Sequence, residues 1–285
     1  MTNYKESRVK QCHIALCALT ASCLPFTVHA EDVVESMVAP PTQNSPWNLT
    51  FSTSYSRNAY PDNSYLASRS LDASLTVKYE TETNWLFSAN FSGVHQFDGH
   101  EGQYWRDVWL RAVYRDLYQP TENLNFSASI RGLIPISDIA KTTDLSTAFR
   151  ADLNLSYDLG FLLEGLQLTD SVRLRKNFHR YTTAGNLQLE EYRLSNSFGL
   201  SYEYGDWWIS TTIDSSKSWT YRGSEYSPEF SHAEEIGYNV TESFSVAAGL
   251  TNSARYFDTD RGPSPIDTLF DLDKPTYYLT LTYNY

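Results

Sequence analysis

The chain has 285 residues and carries 22 Lys and Arg against 34 Asp and Glu, a formal net charge of −12. That balance excludes a nucleic-acid partner, because a phosphate backbone is neutralised by Lys and Arg. Beyond the first 30 residues no run of 18 apolar residues occurs, so no transmembrane helix is expected, and the three cysteines cluster near the start, so no disulfide framework is expected either.

Residues 1–30 place Lys5, Arg8 and Lys10 before an apolar stretch from Ile14 to Val28, which ends on Val28-His29-Ala30. This is the pattern of a secretory signal peptide, with an apolar run too short to cross a bilayer as a helix. Cys12, Cys17 and Cys23 all lie inside it. Its removal would leave a thiol-free chain suited to an oxidising compartment, and a still more acidic one. Thr20 and Ser22 fit poorly with lipidation of Cys23. Residues 31–46, with Pro40, Pro41 and Pro46 and few large side chains, read as a flexible tail.

From Trp47 onward a period-2 alternation recurs. Trp47, Leu49, Phe51 and Tyr55 alternate with Asn48, Thr50, Ser52 and Ser54. Leu71, Ala73, Leu75, Val77 and Tyr79 do so with Asp72, Ser74, Thr76 and Lys78; after a turn at 81–84 come Trp85, Phe87, Ala89 and Phe91. Val108, Leu110, Ala112 and Tyr114 turn at 119–123 into Leu124, Phe126, Ala128 and Ile130. Phe149 to Tyr157 lead through 158–165 to Leu166, Leu168, Val172 and Leu174. Leu194 to Tyr204 turn at Gly205-Asp206 into Trp207, Ile209, Thr211 and Ile213; Ile236, Tyr238 and Val240 turn into Phe244, Val246, Ala248 and Leu250. The last strand sets Tyr277, Leu279, Leu281, Tyr283 and Tyr285 on one face. Short turns alternate with longer polar connections near 57–68, 95–103, 133–144, 176–190, 220–231 and 253–275.

About twelve amphipathic strands of roughly ten residues, an aromatic at the last position and a leader at the first together resemble the bacterial outer-membrane β-barrel class, porin-like in kind. The resemblance implies an all-β fold, a transmembrane antiparallel up-and-down β-barrel of about 12 strands over 47–285, with 31–46 as a periplasmic tail. It implies residence in the outer membrane of a Gram-negative bacterium, contact with outer-membrane lipid and lipopolysaccharide, and delivery by the barrel assembly machinery. Tyr277, Leu279, Leu281, Tyr283 and Tyr285 resemble the terminal signal that this machinery reads. Tyr79, Trp85, Tyr114, Tyr157, Tyr204, Trp207, Phe244 and Tyr285 fall where a periplasmic aromatic girdle belongs. A soluble β-sandwich also alternates but has no reason to ring its strand ends with Tyr and Trp. Asp170 and Asn196 fall among lipid-facing positions, and a bulge near Asp170 would re-aim it. No motif selects one family within the class.

In a barrel of this kind function lies in the inward face and the loops. Arg131, Arg150, Arg173, Arg175 and Arg193 come from four consecutive strands, with Arg111 and Arg115 lower on the strand before. The inward acids are Asp72, Asp107, Asp152, Asp214 and Glu235, with Glu203 and Lys78 nearer the periplasm. The expectation is a basic wall facing an acidic wall across a narrow channel for small polar or anionic solutes such as acidic oligosaccharides, with no cofactor or metal. The alternative is a closed structural or surface-contact barrel, adhesin or phage-contact in kind, whose charges pair with one another. A lipid hydrolase is a third reading, weakened because His95, His100, His179 and His232 fall in or beside loops without a serine at phospholipase spacing. Asp258, Asp260, Asp267, Asp271 and Asp273 gather in the last loop without calcium-loop spacing.

Overall fold

The computed structural model describes residues 45–62, 64, 67–98, 101–255, 257–258, 262–263 and 275–285. The expected signal peptide, residues 31–44 of the tail, His100 and the loop acids Asp260, Asp267, Asp271 and Asp273 lie outside the described residues.

Twelve long strands follow one another: β1 (Trp47–Asn58), β2 (Arg69–Glu80), β3 (Trp85–Gln96), β4 (Val108–Thr121), β5 (Leu124–Ile134), β6 (Leu145–Asp158), β7 (Leu166–His179), β8 (Glu190–Tyr204), β9 (Trp207–Thr220), β10 (Glu229–Asn239), β11 (Phe244–Arg255) and β12 (Thr276–Asn284). Each pairs antiparallel with its sequence neighbours, and β1 pairs with β12 from Thr50↔Asn284 to Asn58↔Thr276, so the sheet closes on itself and has no free edge. A short strand, Gly102–Trp105, extends the line of β4 upward and pairs with β3. One helical turn, α1 (Asp138–Thr142), caps the β5–β6 connection.

Alternation sets the two faces. Phe51, Phe87, Ile130, Leu153, Ile209 and Leu279 point outward and are exposed, whereas Ser129, Ser210, Thr282 and Asn284 point inward and are buried. At the short-turn ends the register joins the expected girdle residues Tyr79, Trp85, Tyr114 and Trp207 into cross-strand Trp–Tyr pairs, with Trp47 and Tyr238 as further partners. Trp47 meets Tyr79 with ring centroids 4.7 Å apart, Trp85 meets Tyr114 at 5.1 Å, and Trp207 meets Tyr238 at 4.7 Å. The β4–β5 hairpin departs from expectation: β4 runs through Gln119–Thr121, with register shifts between Tyr114 and Tyr118 and again before Thr121.

Asp170 is not re-aimed by a bulge. The ladders of β7 to β6 and β8 run unbroken past it, so it stays on the outward face. Asn196, the other misfit, donates from Nδ2 to Asp170 Oδ1 at 2.6 Å. The two residues that break the apolar pattern satisfy each other diagonally across β7 and β8.

Inside, the β9–β12 wall is built from small residues and two flattened aromatics. A Cβ at Gly237 would lie 1.9 Å from the Trp208 ring, and one at Gly249 would lie 2.4 Å from the Tyr278 ring. Both glycines are thus steric seats for the inward ring of a neighbouring strand. Gly237→Val should therefore reduce the folded, heat-modifiable band on unheated gels, costing about 1–3 kcal/mol through overpacking, and adding Trp208→Ala should recover much of it. The topology has its own check: a cysteine in place of Arg222 should react with an impermeant maleimide on intact cells, and one in place of Asp206 only after the outer membrane is permeabilised. Reversed labelling would invert the orientation.

Candidate pore-lining site

Five of the inward arginines share one row. Register pairs Arg111 with Arg131, Arg131 with Arg150, Arg150 with Arg175 and Arg175 with Arg193, so five consecutive strands, β4 to β8, each place an arginine position directly beside the next. Backward the row continues through Ser88 to Lys78 and Asn48, and forward to Ser218. Strands tilt in a barrel, so a row of partners climbs as it turns: this one rises from the short-turn end of β1 to the long-connection end of β9. Arg111, expected below the others, is the low end of this climbing row.

The rows on either side set its environment. Above it stand Trp109, Leu133, Ala148 and Asn177, an inward ledge that is largely apolar. Two guanidiniums face the Trp109 ring, with Arg175 at 5.3 Å and Arg150 at 6.0 Å from its centroid. Below it stand Val113, Ser129, Asp152, Arg173 and Ser195. Asp152 is buried; it accepts from Ser129 Oγ at 2.7 Å and forms ion pairs with Arg150 Nε at 2.8 Å and Arg131 Nε at 3.4 Å. Arg175 donates to Asn177 Oδ1 at 2.7 Å, Arg173 to Ser171 Oγ at 3.3 Å, and Arg193 to Glu190 at 2.6 Å, with Glu229 at 3.9 Å.

The acids do not form a facing wall. Asp152 sits among the arginines. Asp107 lies in the gap between Trp105 and Val108, where its Oδ1 accepts the backbone N–H of Ile136 at 2.9 Å and of Ser137 at 2.8 Å, so it anchors a loop. Asp72 pairs with Arg106 and accepts from Ser70 Oγ at 3.0 Å. Only Asp214 and Glu235, of the acids named from sequence, belong to the β9–β12 wall; Glu235 binds Trp208 Nε1 at 3.3 Å and the Tyr278 hydroxyl. The rest of that wall is mostly Ser, Thr, Ala and Gly, with Glu229, Asn239 and Asn284 among them. Arg115 and Glu80 pair at 2.6 Å near the short-turn rim. Trp109, Arg106 and Glu190 are absent from the sequence expectation: Trp109 is an inward alternate of its strand, Arg106 falls between the 95–103 connection and the strand that starts at Val108, and Glu190 falls in the 176–190 connection.

The mouth is organised by side chain to backbone contacts. Tyr221 of the β9–β10 connection donates to Asn177 O at 2.7 Å and accepts from the His179 N–H at 2.9 Å; burial raises its hydroxyl above the ordinary range. Glu225 pairs with Lys217 Nζ at 2.6 Å, and that hydrogen bond holds its carboxyl below the ordinary range. His179 meets the Tyr221 hydroxyl at 3.2 Å and His232 the Glu234 carboxylate at 2.8 Å. Among the described residues no three His, Cys, Asp or Glu gather as metal ligands.

No protein-family model matches the chain, and no curated protein matches it. Solved structures do. A COG4313 outer membrane channel from Pseudomonas putida F1 superposes with a TM-score of 0.56 at 11% identity, over 87% of this chain and 100% of that one. The NanC porin superposes with a TM-score of 0.54 at 11% identity, over 82% of this chain and 98% of that one. The fold is therefore the closed, 12-stranded antiparallel barrel of the porin-like outer-membrane class.

The Asp152 cluster makes a stability prediction. Arg150→Ala removes a charged contact from a buried carboxylate and should lower stability by about 1.5–3 kcal/mol in denaturant unfolding. Combined with Asp152→Ala, the loss should be smaller than the sum of the two single losses; additivity would mean that the two groups are not coupled.

Proposed function

We propose that the barrel is a narrow outer-membrane channel that conducts small polar and anionic solutes, acidic oligosaccharides among them, along the arginine row. The carrying observation is the alignment of Arg111, Arg131, Arg150, Arg175 and Arg193 on adjacent strands. With strands about 4.8 Å apart, the five positions trace a rising path of roughly 19 Å. Planar guanidiniums at that spacing suit a chain of carboxylates, which can exchange from one fork to the next. Hydrogen bonds to Asn177, Ser171 and Glu190 orient the arginines, and the ledge above them lowers the local dielectric, which strengthens their field on a passing anion. The hydroxyl-rich wall opposite offers neutral partners for the sugar hydroxyls. In this reading the barrel sits in outer-membrane lipid and lipopolysaccharide, and β12 with Tyr285 presents the register that the assembly machinery takes up.

A closed structural barrel is the second reading, favoured by one observation: even small inward residues of the β9–β12 wall, such as Ser231, Ala233 and Thr282, are almost wholly buried. Single-channel recording separates the two. The refolded barrel should conduct with anion preference and be blocked by an acidic oligosaccharide. Arg111→Ser with Arg175→Ser should move the reversal potential in a salt gradient toward cation preference and abolish the block. A folded wild type without conductance would leave the closed barrel.

A further inference from the structure

Between Trp105 and Val108 the strand line beside β3 is interrupted, and polar contacts flank the interruption. Below it β3 pairs with β4 up to Asn90↔Trp109; above it β3 pairs with Gly102–Trp105 from Gly93↔Trp105. Between them the Arg106 N–H donates to Ser92 O at 3.0 Å, while Arg106 and Asp107 leave the strand line. The Arg106 side chain turns inward to Asp72, and the Asp107 carboxylate is bound by the N–H groups of Ile136 and Ser137. The chain on either side of the gap is thus stapled to β2 and to the β5–β6 connection.

At this gap lies a cavity of about 350 Å³ lined by Phe91, Ser92, Trp105, Arg106, Val108 and Ile136. Phe91, Trp105 and Val108 occupy outward positions in their strands, by register with Leu75, Gly93 and Ile134. Trp105, 70% exposed, forms one lip with its ring 3.4 Å from where a Cβ on Gly93 would be. Val108 forms the floor at 6% exposed, unlike most of the large outward residues around it. Val108 and Trp105 stand six and nine residues beyond the girdle residue Tyr114. At about 3.3 Å per residue and a tilt near 40°, that is roughly 15–23 Å up an apolar band about 25 Å tall. The cavity therefore opens sideways into the outer leaflet, is apolar at the mouth, and falls within the roughly 300–1,000 Å³ of small-ligand sites.

We propose that this notch is a preformed binding slot for one acyl chain of an outer-leaflet lipid. Its walls offer dispersion contacts and an aromatic lip, with no carboxylate exposed to the chain, and its shape is set by backbone staples rather than by the lipid. Water has no reason to fill an apolar recess that opens onto hydrocarbon, so a lipid chain is the occupant whose chemistry matches.

Two measurements on the full barrel test it. Native mass spectrometry after mild detergent extraction should find one retained lipid per barrel, lost in Val108→Trp, which fills the floor. In vesicles of phosphatidylcholine brominated along its acyl chains, the Trp105 emission, isolated as the difference between wild type and Trp105→Phe, should be quenched at least twofold less when Val108→Trp is present. Should Val108→Trp fail to fold, Ile136→Glu, changed in a loop at the rim, should give the same two losses. A folded Val108→Trp or Ile136→Glu barrel that keeps its lipid and its quenching overturns the slot. So does a wild type that retains a water-soluble apolar solute there while excluding brominated chains.

Discussion

In hydrocarbon an unpaired backbone N–H or C=O costs several kcal/mol, because no water is present to take the lost partner's place. The seam between β1 and β12 is where this chain meets that constraint. Its first and last strands share nine consecutive register pairs, and beyond them Leu49 and Tyr285 exchange N–H to O contacts at 2.9 and 2.8 Å. The sheet closes only if all twelve strands keep their register. Every inward and outward assignment elsewhere depends on that closure, since a slip of one residue would turn an arginine into the lipid. The constraint also accounts for the repairs at the gap after Trp105, where Ser92 O and the Asp107 carboxylate occupy backbone groups that the ladder leaves over.

Closure moves the packing problem to the inside. A soluble sheet fills its core with apolar side chains; here the small and polar residues face inward and must fit one another. The barrel does this asymmetrically. Strands β4 to β8 project long cations, while β9 to β12 withdraw to Ser, Thr, Ala and Gly and flatten Trp208 and Tyr278 over Gly237 and Gly249. The two walls thus differ in side-chain length, long on β4 to β8 and mostly short on β9 to β12.

The strand number, the two faces, the girdle and the alternation of short and long connections were legible because each is a local, periodic signal. Asp170 and Asn196 were legible as misfits but not as a pair, since Asn196 and Asp170 are 26 residues apart and meet only through the β7–β8 offset. The same limit hid the arginine row. Sequence places Arg111, Arg131, Arg150, Arg175 and Arg193 inward; that they fall in one register row depends on the stagger between neighbouring strands, which alternation does not encode. It misplaced the acids for a related reason. Asp107 follows the inward parity of its strand, yet the strand breaks there and the carboxylate serves a loop. The expected acidic wall was a set of inward positions from several strands, and Asp72 and Asp152 turned out to have basic neighbours of their own.

Whether the arginine row serves only stability can be weighed from its placement. Like charges directly opposite one another on adjacent strands are destabilising, and moving alternate arginines by two residues would have relieved the contact without changing face. The carboxylates present soften the cost at selected points, Asp152 for Arg131 and Arg150 and Glu190 for Arg193. They lie in the row below or at the upper end, and none interrupts the line. A fold selected for internal neutrality would alternate signs along the row. An unbroken register line of arginines below an aromatic and aliphatic ledge instead gathers positive charge along one path in a protein whose overall charge is negative. That arrangement has an electrostatic cost in folding, and the proposed anion path would give a reason for keeping it.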